Sequence, residues 1–513
     1  MILNRILPAF FSLLIFNQIA LAQIPKLDTR FGSGGKVDAF LGSMNKDVAT
    51  GVAQTSDGKI VCVGHDRLTT SADKFIMARF TSAGALDKTF NKTGYNAIDL
   101  GGNKDFGYDV AVLPDNSILG VGFTTNSTQN IVVVKFKTDG TLDPTFGVNG
   151  KSTIVFGNND RGKCIIALPD GKILVGGTSA GSILAVKLNA DGSLDKTWGG
   201  DGFAQIQSSA NVEVNRMLLD PIGKIVFVGE VDNDGGPNPA STDFFWAKLN
   251  SDGIIDTDIQ RIGLMGKFEV CYDAAYQNDG KLVMVGTQNK PSAVPTQIDT
   301  LVNYVVRLNE DGTVEKTFSK DFGVNLAESF KTVRIMSDGK IICAGNVNFD
   351  NLISRLKTDL TLDNTFGGSS GFTWSIAGSK DEINRMYVNS NFQIICAGYS
   401  TTQPGDNNFT LSRLNTEKTV AVLERDENLI PLQVSPNPGN GEVRVSYQLQ
   451  EPGVVKFEIY DLSGRLLTTI DAGSKTTDPQ TEVMNLSYLA DGTYICRLMS
   501  GNGFSNIKIQ LLK

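Results

Sequence analysis

The sequence predicts an all-β protein: a seven-bladed β-propeller followed by a small antiparallel β-sandwich. Three observations lead there. A Leu-Asp-x-Thr-Phe segment recurs seven times, and a turn leading into an apolar strand recurs seven times in step with it. From Pro431 both patterns stop, and short runs of alternating apolar and polar residues replace them. The chain has 513 residues, with 41% hydrophobic and 20% charged, enough to bury sizeable cores. Gly is abundant at 54, but there is no collagen-like triplet and Pro is only 16, which excludes wholesale disorder. A net charge of −8 argues against a nucleic-acid surface. A single His removes multi-histidine metal sites and leaves little room for a His base.

Residues Met1–Ala22 read as a signal peptide. Arg5 supplies positive charge, Ile6–Phe16 is an apolar run broken only by Pro8 and Ser12, and Ala20-Leu21-Ala22 is a small-x-small cleavage pattern. Gln23 is the expected mature start. The run is short for a membrane anchor, no Cys follows it, and no later stretch approaches the length of a spanning helix. A soluble mature chain without a transmembrane segment is therefore expected. Of the 6 Cys, Cys62, Cys343 and Cys396 occupy matching strands, too far apart to bridge, and read as small buried hydrophobes. The absence of CxxC gives zinc no support.

The first landmark runs through Leu27–Phe31, Leu86–Phe90, Leu142–Phe146, Leu194–Trp198, a degraded Ile255–Ile259, Val314–Phe318 and Leu362–Phe366. The second falls at Gly58-Lys59, Asn116-Ser117, Gly171-Lys172, Gly223-Lys224, Gly280-Lys281, Gly339-Lys340 and Phe392-Gln393, spaced 52 to 59 residues apart. Each unit holds four short apolar runs. In the second they read as Tyr108–Leu113, Ile118–Phe123, Ile131–Phe136 and Tyr95–Leu100, the last wrapping from the preceding spacer. Four antiparallel strands at this period predict a propeller blade. The last unit, ending at Phe409–Leu414, lacks its own Leu-Asp-x-Thr-Phe segment, while an orphan copy, Leu27–Phe31 followed by Val37–Phe40, sits at the amino end. Closure of the ring by that copy removes exposed sheet edges. The propeller is assigned to Gln23–Asn415.

The third strand of each unit carries a cation: Arg79, Lys135, Lys187, Lys248, Arg307, Arg355 and Arg413. Eight residues after each of the first six stands Asp87, Asp143, Asp195, Asp256, Glu315 or Asp363, and Arg413 would find Asp28 through closure. A binding ring of charge is one reading. Sevenfold recurrence better suits a repeated ion pair fixing strands three and four.

The Leu-Asp-x-Thr-Phe-Gly and Asp-Gly-Lys-Ile-x-x-x-Gly motifs resemble the delta-60 repeat family of bacterial β-propellers over nearly all of Gln23–Asn415. Ile255–Ile259 and Asn391-Phe392-Gln393 depart from the motif and put local geometry in doubt. The resemblance implies a repeat scaffold with no general activity.

Residues 416–430 are charged, lack the repeat and read as a linker. Pro436-Asn437-Pro438 then opens a new segment. Strands Glu442–Gln448 and Val454–Asp461, a Leu462-Ser463-Gly464-Arg465 turn, Gly492-Thr493-Tyr494 and Ile507–Lys513 follow, as in a small sandwich over 431–513. The Pro-Asn-Pro opening, the hairpin holding Gly464, the strand holding Gly492 and Tyr494, and the basic-apolar tail resemble the type A carboxyl-terminal sorting domain of the type IX secretion system. That resemblance implies a Gram-negative bacterium, the type IX machinery as partner, and release or surface attachment.

No catalytic constellation is legible. Gly177-Thr178-Ser179-Ala180-Gly181 matches a nucleophile-elbow string, but strand rather than helix follows and His65 is two units away, so a short loop is expected. Gly150-Lys151-Ser152 matches the end of a P-loop, but Thr145 stands where the first Gly is required. His65 reads as a loop residue. The sequence calls for no cofactor. Asp232 and Asp234, in Asp232-Asn233-Asp234-Gly235-Gly236, offer oxygen ligands to Ca²⁺ without EF-hand spacing. Two long connections, Val231–Asp243 and Thr287–Asn303, should lie side by side, and such loops are where binding residues gather. Asp232, Asp234 and Asp299 are thus the candidate ligand-binding positions. Three functions fit: a surface binding or scaffold propeller for a glycan or protein, an extracellular polysaccharide hydrolase or lyase using funnel carboxylates, or a purely structural surface protein.

Overall fold

The computed structural model describes residues 25–415 and 432–512, apart from the segments 42–46, 68–72, 233–240, 264–267, 291–299, 323–327, 368–370, 375–379, 404–405, 450, 462–465 and 501–502. The leader, the linker 416–430, Asp234, Asp299 and Gly464 lie outside the described residues. The described strands pair antiparallel apart from a single parallel pair, and none of the described elements is a helix. Two compact units divide the chain, Met1–Glu417 and Lys418–Lys513.

The larger unit is a series of four-strand meanders. The first runs Val48–Gln54, Ile60–Arg67, Asp73–Phe80 and Tyr95–Ile98. The second runs Lys104–Val112, Ile118–Thr125, Gln129–Phe136 and Lys151–Ile154. One parallel pair, Asp73 and Lys104, joins these two into a single sheet. Tyr95–Ile98 pairs with Asp73–Phe80, so it completes the first meander, not the second as the sequence reading had it. The reason is covalent reach: the strand follows its partner after one turn, whereas the second meander has its own fourth strand in Lys151–Ile154.

Four further meanders follow, beginning at Asp160, Val212, Glu269 and Glu328. The last sheet contains Lys380–Val388, Gln393–Gln403 and Asp406–Asn415. Its outer partners come from the amino end: Lys26 and Leu27 pair with Asn415 and Leu414, and Lys36–Ala39 pairs with Ser412–Phe409.

Apolar clusters lie between successive meanders. One joins Phe31, Phe409 and Leu411 to Cys62 and Phe80, across the ends of the chain. All six cysteines are free and buried. Burial pushes the thiols up, so they pack as apolar groups.

The ion-pair pattern is realised in five places. Arg79–Asp87 (2.8 Å), Lys135–Asp143 (3.2 Å), Arg307–Glu315 (2.5 Å), Arg355–Asp363 (2.9 Å) and Arg413–Asp28 (2.9 Å) form as the spacing predicts. The third and fourth meanders differ. There Asp195 takes Lys172 at 2.7 Å, Asp256 takes Lys224 at 2.6 Å, and Lys248 takes Asp220 at 3.4 Å. Lys59 and Lys281, which follow the corresponding turns, also reach the carboxylates Asp87 and Glu315, and a flexible point charge exchanges partners more readily than a guanidinium fork. Arg79, Arg355 and Arg413 also cover Phe90, Phe366 and Phe31.

Those aromatics form a second repeated device. Phe31, Phe90, Phe146, Trp198 and Phe366 are buried. The first four press against Gly84, Gly140, Gly192 and Gly253 in the next strand-three turn. A β-carbon on Gly140 would lie 2.7 Å from the Phe90 ring. The following residue then bonds the neighbouring turn, as in Gly147 N to Asp191 O at 2.7 Å. Where the motif degrades, the wedge is gone. Ile255–Ile262 and Val314–Lys320 run as long fourth strands instead. At the first of these junctions Trp246 fills the space under Gly312. At the second, Leu360 replaces the turn glycine, is buried, and accepts a φ of 63°.

The carboxyl-terminal unit has a three-stranded sheet (Leu432–Ser435, Glu442–Tyr447, Gln480–Asn485) and a four-stranded one (Leu466–Lys475, Gly453–Tyr460, Gly492–Ser500, Gly503–Leu511). Both contribute to one core containing Val445, Phe457, Cys496 and Ile509. The strands 466–475 and 480–485 were not foreseen, because their Thr, Asp and Gly content reads as turn.

Candidate functional site

The first strand of each meander carries a β-bulge. The register shifts between Ala49 and Gly51, and correspondingly around Tyr108, Lys163, Asn215, Tyr272, Lys331 and Asn384. A bulge turns its extra residue out of the ladder. The second strand accommodates it with glycine: a β-carbon on Gly64, Gly122 or Gly177 would lie 1.7 to 1.9 Å from the carbonyl oxygen before the bulge. This glycine ends the Asp-Gly-Lys-Ile-x-x-x-Gly motif.

The bulged residues meet. Thr50, Tyr108, Lys163, Asn215, Tyr272, Lys331 and Asn384 all line one cleft of about 250 Å³, with Arg385 and Tyr399. An adjoining cavity of about 360 Å³ shares Tyr272, Lys331 and Tyr399 and extends to Leu301 and Phe349, beside strand-two-to-three connections.

Carboxylates hold this lining from behind. Glu213 is 2.9 Å from the Lys163 ammonium, which lies 4.2 Å from the Tyr108 ring centre. Glu382 is 3.2 Å from Lys331 and accepts from the Tyr399 hydroxyl at 2.7 Å, while Lys331 lies 3.8 Å over Tyr272. Asn215 donates to Glu230 and to the Cys271 carbonyl. Burial opposes the Lys163 charge, but Glu213 and Tyr108 raise its pKa above the ordinary lysine value. Lys331 is raised likewise, against burial, by Tyr272 and Glu382. Burial, then Glu213, pushes Glu230 up to about 8, so it is neutral at pH 7.

Deeper still, Asp273 is fully buried among three arginines, with Arg334 at 2.9 Å, Arg216 at 3.3 Å and Arg385 at 3.8 Å. Burial opposes its charge, but Arg334, Arg216 and Arg385 hold the carboxyl well below the usual range. Arg216 also reaches Asp109 at 3.4 Å. This cluster ties five first strands together beside the cleft.

The candidate positions read from the sequence fare differently. Asp232 is the buried last residue of the strand Ile225–Asp232, its amide bonded to the Asn211 carbonyl at 2.8 Å. Among the described residues no cluster of three His, Cys, Asp or Glu is placed to hold a metal. His65 is a strand residue, in Ile60–Arg67, with its ring 4.9 Å from Phe106, rather than a loop residue. The Gly177–Gly181 string forms a tight hairpin whose Ser179 hydroxyl donates to Asp160.

In the terminal unit, Asn437 clamps the last strand. Its amide donates to the Lys508 carbonyl and its carbonyl accepts from the Gln510 amide, each at 2.8 Å. Pro436 and Pro438 flank it in cis, on the surface. Gly492 opens a strand, and the Tyr494 hydroxyl donates to the Ala490 carbonyl at 2.7 Å.

The cleft residues were missed, although a signal exists. Each stands 14 residues before its motif glycine, as Thr50 does before Gly64 and Lys331 before Gly345. Reading the glycine as a packing requirement would have pointed to them.

By architecture and tail, this is a repeat-built β-propeller carrying an export signal at its carboxyl end. In particular, residues 433–511 match the secretion system C-terminal sorting domain, and 55–90, 113–146, 168–197, 277–318 and 337–366 match the family described as a domain of unknown function (DUF5122) beta-propeller. The chain therefore carries both domains, and the type IX sorting domain assigns it to the secreted or cell-surface proteins of a Gram-negative bacterium. The unmatched stretch 198–276 includes the degraded Ile255–Ile259.

No curated protein matches the chain by sequence. Similar solved structures include PorZ, an essential surface component of the type IX secretion system of Porphyromonas gingivalis, at 15% identity and a TM-score of 0.38 over 90% of this chain and 59% of that one. A puromycin hydrolase is 13% identical with a TM-score of 0.45, over 79% and 59%. The polysaccharide lyase Uly1 is 10% identical with a TM-score of 0.46, over 74% and 92%. The chain thus spans 59% of the length of each of the first two. None of the three bears on what this chain does.

Proposed function

We propose that the protein is an exported binding module, a seven-bladed propeller over 23–415 whose central cleft recognises a glycan or other oxygen-rich surface ligand. In this reading 416–430 is a linker and 431–513 a β-sandwich that engages the type IX machinery. One observation carries the proposal: seven first strands deliver their bulged side chains to a single cleft. The lining is Lys, Tyr, Asn and Thr, groups that donate hydrogen bonds and offer ring faces, with Arg385 beside them.

The hydrolase reading has one observation in its favour, a neutral Glu230 opposite an ion-paired Glu213. Both carboxyls are used to hold Asn215 and Lys163, whereas a catalytic pair would have to line the cleft itself.

Thermal unfolding of the chain against a glycan panel tests the proposal. A ligand at about 100 times its Kd adds about 2.7 kcal/mol. Lys331→Met and Tyr272→Ala should abolish that shift. A shift surviving both substitutions would refute the cleft as the site, and release of reducing ends that depends on Glu230 would establish the hydrolase instead.

A further inference from the structure

The junction between the fourth meander (Val212–Ile262) and the fifth (Glu269–Lys320) holds a cavity of about 700 Å³, larger than the axial cleft and separate from its lining. It lies where Ile255–Ile259 has lost the aromatic wedge. Trp246 occupies the space under Gly312 from its own strand, and the volume a wedge and its turn would cover is left open. We propose that this cavity is a second binding site, for a short neutral saccharide.

The size is that of a small-ligand pocket. Trp246 and Tyr276 give it an aromatic wall that suits the C–H face of a sugar ring. Asn278, Asp279, Asn309 and Glu310 stand on its rim and accept hydrogen bonds from hydroxyls. Two lysines in the wall are already neutralised, Lys224 by Asp256 at 2.6 Å and Lys248 by Asp220 at 3.4 Å. Asp279 faces Lys281 at 3.8 Å, and Glu310 and Asp311 leave the rim acidic, so uronate, sulfate and phosphate groups are repelled. The same two lysines stand against a basic peptide. The site thus differs from the cleft, whose lining includes Lys163, Lys331 and Arg385, each ion-paired with a carboxylate.

The test uses the whole chain, with tryptophan fluorescence and calorimetry. The probes are short cello-, xylo- and manno-oligosaccharides, a uronate oligomer and a lysine-rich peptide. One neutral series should bind and change the Trp246 emission, and Trp246→Phe should remove the optical change. Asn309→Ala combined with Glu310→Gln should weaken binding roughly tenfold, the effect of losing a hydrogen-bonding pair, with no change in melting temperature. Lys331→Met, in the cleft, should leave this binding intact, which separates failure here from failure of the cleft assignment. The proposal is overturned if no neutral oligosaccharide binds, if the rim variant binds like the parent, or if only the peptide binds.

Discussion

Two kinds of junction hold the propeller together. At junctions such as Phe90 on Gly140, an aromatic wedge, a turn glycine and a backbone bond from the wedge segment to the next turn recur together. At the two junctions after Ile255–Ile262 and Val314–Lys320, the wedge is replaced by Trp246 or by Leu360. The comparison teaches that the repeat motif is a joint between units as much as a description of one unit. Losing one half of the joint relaxes the demand on the other: Leu360 occupies a turn position where an intact partner requires glycine.

The largest difference should come from the wedge itself. Phe90→Ala should cost about 3–5 kcal/mol in urea unfolding, as for a large aromatic removed from a core. Phe318→Ala, at the half-buried counterpart in a long strand, should cost less than about half of that. Equal losses would show that the two junctions are energetically alike. Next come the ion pairs. Asp87→Asn leaves a buried Arg79 unpaired and should cost about 3 kcal/mol. Asp256→Asn, in a partly exposed pair with Lys224, should cost less than about 1 kcal/mol.

The acid limb follows from the same carboxylates. The hydrogen bond from Lys172, then that from Thr197, lowers the Asp195 pKa to about 2. Its stabilising contribution is complete above the ordinary value of 3.8 and is lost as pH falls from there through about 2. Asp195→Asn should therefore flatten that part of the stability profile.

A smaller contrast separates clash from strain. Gly140→Ala meets both a φ of 83° and the Phe90 ring, and should cost about 2–3 kcal/mol. Gly223→Ala, at a φ of 86° in open space, should cost about 1 kcal/mol. The smallest effect concerns the cleft. The raised Glu230 favours folding only while protonated, so its contribution declines as pH rises from about 4.5, its ordinary value, through about 8. Glu230→Gln should raise the melting temperature at pH 9 relative to the parent by more than it does at pH 5.

The fold was legible because its signals are local and repeated. Turn glycines, strand alternation and the Leu-Asp-x-Thr-Phe segment each act within a few residues, and four of the five ion pairs follow from one spacing, the fifth from the pairing of the amino end with the last sheet. The cleft was not legible in that way. Thr50, Lys163 and Asn384 share no residue type, and only the bulge opposite a glycine gives them a common position. The Asp-Asn-Asp run reads as turn, while cross-strand pairing carries the ladder through Val231 and Asp232. The unforeseen exchange at Asp195 and Asp256 arose from lysines 23 and 32 residues away, a proximity that only the folded sheet creates.

The pairing of Lys26 and Leu27 with Asn415 and Leu414 also sets a schedule. These strands find their partner nearly 390 residues further along the chain, so the outer edge of the last sheet is a contact of very high sequence separation and slow to form. Until then the last sheet has an unsatisfied edge at Asp406–Asn415. Removing residues 26–39 would leave it in that state permanently, and the vulnerability would be self-association through the exposed strand Asp406–Asn415 rather than loss of any one site.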